Sequence, residues 1–133
     1  MNIEELTEKL KIKEADFDSL SNLDFVGVYI LYDPNKNDEV VYIGSAYART
    51  IKERLSQYIS EKDTGNTLIH SIYKKDYSAN KVNGITGTQR KEIIKKIKSF
   101  KIKAIQHRDL EYQLIQEANP KYNLAGTKTT RGS

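Results

Sequence analysis

Two tyrosines, one arginine and one glutamate carry most of the chemistry this sequence can offer. Tyr29 lies in the run FVGVYILY (25–32) and Tyr42 in EVVYIG (39–44), both rich in β-branched and aromatic residues. The stretch between them, DPNKND (33–38), is made of turn formers, so the two runs read as a β-hairpin. If Tyr32 and Glu39 close the turn, Tyr29 lies opposite Tyr42, Val28 opposite Ile43 and Gly27 opposite Gly44. Two phenols then share one face, close enough to act on one group. Such a pair is more often core packing, but glycines at both matched strand ends allow a ligand or backbone to approach closely.

Arg54 follows on the next helix, with Tyr58 one turn later on the same face. Its planar fork of donors suits phosphate oxygens and stays charged at any physiological pH. Glu111 stands beside Leu110, Leu114 and Ile115 on the last helix. A carboxylate there is either a ligand for a hard cation or an edge ion pair. His107, four residues before Glu111, could share its helical face as a metal pair, but capping or solvent exposure is the preferred reading. His70 reads as a polar position among Leu68, Ile69 and Ile72, and Asp16 with Asp18 as an acidic turn around Phe17. No phosphate-cradling glycine loop, dinucleotide fingerprint, nucleophile elbow or HExxH motif occurs.

The elements that must position these groups follow from local signals. Asn2 and Glu5 form a capping box for a first helix carrying Ile3, Leu6 and Leu10, and residues 11–24 read as polar and irregular, anchored by Phe17 and Leu20. Thr50 and Glu53 form a second capping box, opening a helix with Ile51, Leu55, Tyr58 and Ile59 on one face. Asp63, Gly65 and Asn66 break it, TLIHSIYKKDY (67–77) starts another helix, and SANKVNG (78–84) is a loop. A basic helix then carries Ile93, Ile94, Ile97 and Phe100 inward and Arg90, Lys91, Lys95 and Lys98 outward. KAIQ (103–106) is a third strand, and DLEYQLIQE (109–117) a final helix ending before Pro120. The order predicts a small α/β (α+β) domain: a mostly antiparallel three-stranded sheet flanked by helices.

Composition sets the outer limits. A chain of 133 residues supports one domain with its own core. With no Cys, a disulfide scaffold, a thiol nucleophile and Cys-based metal sites are excluded. A mean hydropathy of −0.67 and the absence of a long apolar run predict a soluble protein without a membrane span or signal peptide, and the lack of Cys suits a reducing cytoplasm. The net charge of +4 is uneven. Residues 1–24 carry seven acids against Lys9, Lys11 and Lys13, so the excess of bases lies in the remaining chain. A basic body suits a polyanionic partner, although a lysine face is commonly only solvated.

Taken in order, GVY (27–29), VYIG (41–44), Arg54 with Tyr58, Glu111, and PKYN (120–123) resemble the GIY-YIG nuclease domain. RLSQY (54–58), and the stretch from Glu111 to Asn123, look like the corresponding segments of the bacterial excision-repair members of that family. The resemblance covers about residues 25–124, with 1–24 as an acidic N-terminal helical extension and 125–133 as a flexible tail. It departs from the pattern at Val28, where Ile is commoner, and at Ser45, where the repair members have Lys. That amine is absent or supplied by Arg49 or Lys52.

The resemblance implies a metal-dependent DNA endonuclease that hydrolyses phosphodiester bonds, stand-alone, and structure-selective or weakly sequence-specific. It implies Tyr29 and Tyr42 at the scissile phosphate, with Tyr29 orienting or deprotonating the attacking water. Arg54 would neutralise phosphoryl charge, and Glu111 would hold one Mg²⁺ (or Mn²⁺) per site. Asn123 would brace the site or contact phosphate, and Tyr58 takes a position that is His in some members. A phenol is a poor base at neutral pH, and the Arg54 charge together with a bound cation is expected to lower the Tyr29 pKa. Gly44, Ser45, Arg49, Lys52, Arg90, Lys91, Lys95 and Lys98 are the expected DNA contacts. No organic cofactor is implied, and a protein partner supplying specificity is an open expectation. Repair and mobile-element transfer would use the same residues. Two rival readings are a catalytically idle nucleic-acid-binding module of the same fold and a small domain whose basic helix binds an acidic protein.

Overall fold

The computed structural model describes residues 12–60, 67–77, 85–107 and 110–123. In chain order the elements are β1 (Ile12–Asp16), β2 (Gly27–Asp33), β3 (Glu39–Ala46), α1 (Ile51–Tyr58), α2 (Thr67–Asp76), α3 (Gly87–Lys98), β4 (Lys101–Ile105) and α4 (Glu111–Ala118), with 3-10 turns at Leu20–Leu23 and Pro34–Lys36. The helix expected over Ile3, Leu6 and Leu10 lies outside the described residues.

The architecture is the expected α+β arrangement, but the sheet has four strands rather than three, in the order β1-β4-β2-β3 with every pair antiparallel. The extra strand, β1, falls in the segment read as irregular. Its sequence IKEAD offers only Ile12 and Ala15 as apolar positions, and its pairing comes from β4, almost ninety residues away in sequence. Charged residues on such a strand blunt an exposed sheet edge. Phe17 and Leu20 behind it are buried as expected.

The hairpin forms, but in a different register. Tyr29 lies opposite Gly44, Ile30 opposite Ile43 and Leu31 opposite Tyr42, whereas beyond the irregularity Tyr32 pairs with Val40 and Asp33 with Glu39. The turn therefore closes one residue later than expected, and a bulge at Val41 adds one more residue to β3. Together these shift the pairing of Tyr29, Ile30 and Leu31 by two, an even number, so those residues and their partners keep their expected faces, whereas next to the turn the shift is one. Tyr29 and Tyr42 remain on the same side as diagonal neighbours.

The two faces of the sheet are covered by different helices. Tyr29, Leu31, Ile102 and Ala104 pack with Ile51, Leu55 and Tyr58 of α1, Leu68 and Ile72 of α2, and Ile93, Ile94 and Ile97 of α3. Val28, Ile30, Ile43 and Ile105 on the reverse face meet Leu114 and Ile115 of α4. The Thr50–Glu53 capping box is present at the start of α1, and a further box, Thr86 with Gln89, opens α3.

One polar cluster ties the first layer together. Asp76, the last residue of α2, accepts from Lys96 Nζ at 2.6 Å and from the Tyr122 hydroxyl at 2.7 Å, with Lys121 at 3.6 Å. Burial raises the Asp76 pKa, but the Lys96 and Tyr122 hydrogen bonds and the two lysine charges outweigh it and hold the carboxyl below its ordinary value. Burial likewise pushes the Tyr122 phenol up to about 12. With the Asp76 pKa depressed in the folded state, its stabilisation is complete above the ordinary carboxylate range and is lost as pH falls through the lowered value. Asp76→Asn is therefore expected to lower Tm at neutral pH and to flatten its fall in acid, as a pH series of melting curves would read.

Candidate active site

The first phenol is placed by a glycine. Tyr29 is 1% exposed, and its ring lies across Gly44 on the neighbouring strand. A Cβ at Gly44 would come within 2.4 Å of the Tyr29 hydroxyl and 2.5 Å of its ring carbon Cζ. The glycine thus makes room for an aromatic ring of the same chain, where the sequence suggested close approach of a ligand or backbone. Gly27, at φ 155°, has a comparable role against β4, because a Cβ there would lie 2.2 Å from the Ile105 carbonyl oxygen.

Tyr58 comes onto the same side from α1. The Tyr29 and Tyr58 hydroxyls are hydrogen-bonded to each other, and the rings of Tyr29, Tyr42 and Tyr58 form a triangle with centroids 6.0 to 6.4 Å apart. Both contacts of Tyr58 are edge-on, at 66° and 86°, an arrangement that aromatic quadrupoles favour. Arg54, one helical turn before Tyr58, places its guanidinium 5.9 Å from that ring's centroid. Sequence spacing and the Thr50 cap put Arg54 and Tyr58 on one face of α1, and that face is the one turned toward the tyrosines.

The Arg54 charge alone does not lower the Tyr29 pKa below its ordinary value. Burial, reinforced by the neighbouring Tyr42, raises the Tyr29 pKa far above that of a free phenol, despite the opposing Tyr58 hydrogen bond and the Arg54 charge. Tyr58 is also raised, first by burial and then by the other two phenols. The Arg54 charge is therefore too weak, against a fully buried site, to make Tyr29 acidic. Burial therefore favours the neutral hydroxyl at both groups. Burial acts against the Arg54 charge as well, but the surrounding phenols outweigh it and hold its pKa above the ordinary value.

The Gly44 contact gives a sharp test. Gly44→Ala forces the Tyr29 ring away from Gly44, and because that ring is enclosed, the displacement breaks its hydrogen bond to Tyr58. Overpacking of this kind costs about 1–3 kcal/mol. The expected result is a lower midpoint in urea, with Tyr29 moved in a crystal structure of the variant.

Asn123 acts on the opposite edge of the hairpin. Its side-chain oxygen accepts from the Ile43 amide at 2.8 Å, and its nitrogen donates to the Ile43 carbonyl at 2.7 Å. Beside it, the Tyr122 amide donates to the Val41 carbonyl at 2.8 Å. The PKYN segment thus fills the outer edge of β3 as a short strand would. It grips Ile43, the residue between Tyr42 and Gly44. Asn123→Ala leaves both backbone groups without their partner at a buried position, and each such loss costs about 1–3 kcal/mol. Equilibrium unfolding should show that loss.

Glu111 is placed differently. It is the first residue of α4, half-buried, and α4 packs on the reverse face of the sheet from the tyrosines. Its position is at the end of the sheet where β2 starts, because Ile105, from which the chain leads into α4, lies opposite Val28. His107 precedes the helix and shares no helical face with Glu111. Among the described residues, no three His, Asp or Glu side chains come together to hold an ion. A single half-buried carboxylate fits Mg²⁺, which keeps several waters and takes one or two carboxylates plus substrate phosphates. It does not fit a zinc or calcium cage built wholly from protein ligands.

The expected DNA contacts fall into two groups. Ser45 is half-buried in β3 opposite Val28, while Arg49 and Lys52 are exposed around the start of α1. Lys91, Lys95 and Lys98 are exposed along α3, and Arg90 is half-buried. The structure does not bring the α3 lysines into the tyrosine cluster. Sequence reasoning missed the Asp76–Tyr122 support for the PKYN segment; nothing local to Asp76 marks a partner 46 residues away.

Comparison with known proteins agrees with this geometry. The family model of the GIY-YIG catalytic domain matches residues 25–123, about three quarters of the chain, from the residue before Val26 to Asn123 itself. No curated protein and no solved structure matches. No helix among the described residues is long and apolar enough to cross a membrane.

Proposed function

The chain belongs to the GIY-YIG catalytic domain family, and from that premise we propose that it is a divalent-metal-dependent DNA endonuclease whose site is formed by Tyr29, Tyr42, Arg54, Tyr58, Glu111 and Asn123. The family implies nuclease activity on DNA, and its members typically use divalent metal ions. The observation that carries the assignment to this site is the seating of Arg54 over a cluster of three tyrosines, two of them hydrogen-bonded to each other.

Phosphodiester hydrolysis needs an oriented nucleophile, neutralised phosphoryl charge and a stabilised leaving group. Arg54 supplies a fixed fork for two phosphoryl oxygens, held by its contact with Tyr58. Tyr29 and Tyr58, kept neutral by burial, serve as hydrogen-bonding and positioning groups, which favours an orienting role for Tyr29 over a basic one. Tyr42, the least buried of the three, can hold the attacking water. Asn123 keeps β3 in place behind them. Glu111 would hold the single Mg²⁺ (or Mn²⁺), which when bound polarises the phosphodiester and stabilises the departing oxygen.

The nuclease unit in this reading is residues 25–124, acting in the cytoplasm on DNA, with specificity from DNA shape or from a protein partner. Incubation of the full chain with supercoiled plasmid, in Mg²⁺ and in EDTA, tests it. Relaxed or linear product with Mg²⁺ alone is expected. Tight, salt-sensitive binding with no cutting across Mg²⁺, Mn²⁺ and Ca²⁺ would instead establish the idle nucleic-acid-binding module.

A further inference from the structure

Among the described residues, four large apolar or aromatic side chains are more than a third exposed: Val26, Tyr47, Tyr77 and Tyr112. Tyr77 has a local explanation. Its hydroxyl donates to Glu92 at 2.7 Å, and its ring packs on Tyr73 at 5.6 Å between centroids. The other three gather at one end of the sheet. Val26 precedes Gly27, which pairs with Ala46; Tyr47 follows Ala46; and Tyr112 is the second residue of α4, beyond Ile105 and opposite the start of β2. The Tyr47 hydroxyl reaches the His107 carbonyl at 3.4 Å, which ties the loop after β3 to the loop before α4. Tyr29 and Gly44 lie at this same end, and Glu111 is the immediate neighbour of Tyr112.

Isolated exposed apolar residues are ordinary. Three at one end of a sheet, beside the proposed site and near the exposed cations Arg49 and Lys52, offer apolar surface and positive charge together. An exposed tyrosine ring offers a flat face that a nucleobase can cover. That face is useful only when the base is free, because bases inside a continuous duplex are already stacked on both sides.

We propose that Tyr47 and Tyr112 are stacking platforms for unpaired bases beside the scissile phosphate, and that the substrate class is DNA with a single-stranded segment at the cleavage point, such as a fork, flap or bubble. Val26 adds an apolar surface against the last paired step. Arg49 and Lys52 follow the adjoining backbone. The inference rests on the nuclease reading and refines it from any DNA to DNA with unpaired bases.

The test compares a fluorescent forked duplex with a continuous duplex of the same sequence, with binding read by anisotropy in EDTA and cutting read separately in Mg²⁺. Tyr47→Ala and Tyr112→Ala are each expected to weaken fork binding on the order of tenfold, with less than about twofold change on the continuous duplex. Both side chains are exposed, so neither variant removes core, and circular dichroism checks the fold. Tyr47→Phe, which loses the hydroxyl contact with His107 but keeps the ring, should retain the fork preference. A wild type that cuts DNA while both alanine variants keep its fork-to-duplex ratio overturns the stacking proposal alone. A wild type that neither binds nor cuts either DNA overturns the nuclease reading with it.

Discussion

Arg54→Ala is expected to slow single-turnover cleavage by about two to three orders of magnitude, the usual effect of removing one preorganised donor from developing charge. The argument rests on where the guanidinium is held. It lies over Tyr58, on a helix capped one turn earlier by Thr50 and Glu53, so little reorganisation is needed when a phosphate arrives. Arg54→Lys should recover only part of the loss, because a lysine restores the charge but not the planar fork. The arginine is half-exposed, so the melting temperature should move little, which separates a catalytic effect from unfolding. Cleavage within about threefold of wild type would remove Arg54 from the site, given the size of effect such donors carry.

Glu111→Gln is expected to be equally severe. The substitution preserves shape and removes the charge that would hold a hard cation. Leu114 and Ile115 still anchor α4 to the reverse face of the sheet, so the fold should persist. Activity in Mg²⁺ should fall on the order of a hundredfold or more. A second readout does not depend on cutting: Mn²⁺ should raise the melting temperature of wild type, because it binds the folded state alone, and the variant should lose that increment. Undiminished cutting together with an unchanged Mn²⁺ shift would show that the cation, if one is needed, is held elsewhere.

What was legible in the sequence was mostly local. The hairpin, the Thr50 cap, the inward Ile93, Ile94 and Ile97, and the shared face of Arg54 and Tyr58 all follow from periods of two and 3.6 and from turn chemistry. The common face of Tyr29 and Tyr42 was legible even though their pairing was not. A turn closing one residue later and a bulge at Val41 moved the register by two, and parity survived. Strand β1 escaped notice because an edge strand of mixed charge has no periodic apolar signal, and only β4 makes it a strand.

The site was legible as a set of residue types but not as an environment. Burial of Tyr29 depends on α1 and on the missing Cβ of Gly44, and no one-dimensional pattern reports enclosure. This is why the Arg54 charge alone does not lower the Tyr29 pKa below its ordinary value. Asn123 was recognisable by its place after Pro120 and Tyr122, but its two-point grip on Ile43 is a contact across 80 residues. Glu111 was equally recognisable, whereas its position on the reverse face of the sheet could come only from the packing of α4.

That position makes the meeting of Glu111 with the tyrosine cluster the point on which the account turns. A crystal structure of the protein with Mn²⁺ and a DNA made uncleavable by phosphorothioate substitution tests it most directly. The expected result is anomalous scattering from manganese at the Glu111 carboxylate, with a single phosphate touching both that ion and the Arg54 guanidinium. Manganese bound away from Glu111, or a phosphate at the metal that leaves Arg54 without a DNA contact, would contradict the assignment of these residues to one active site.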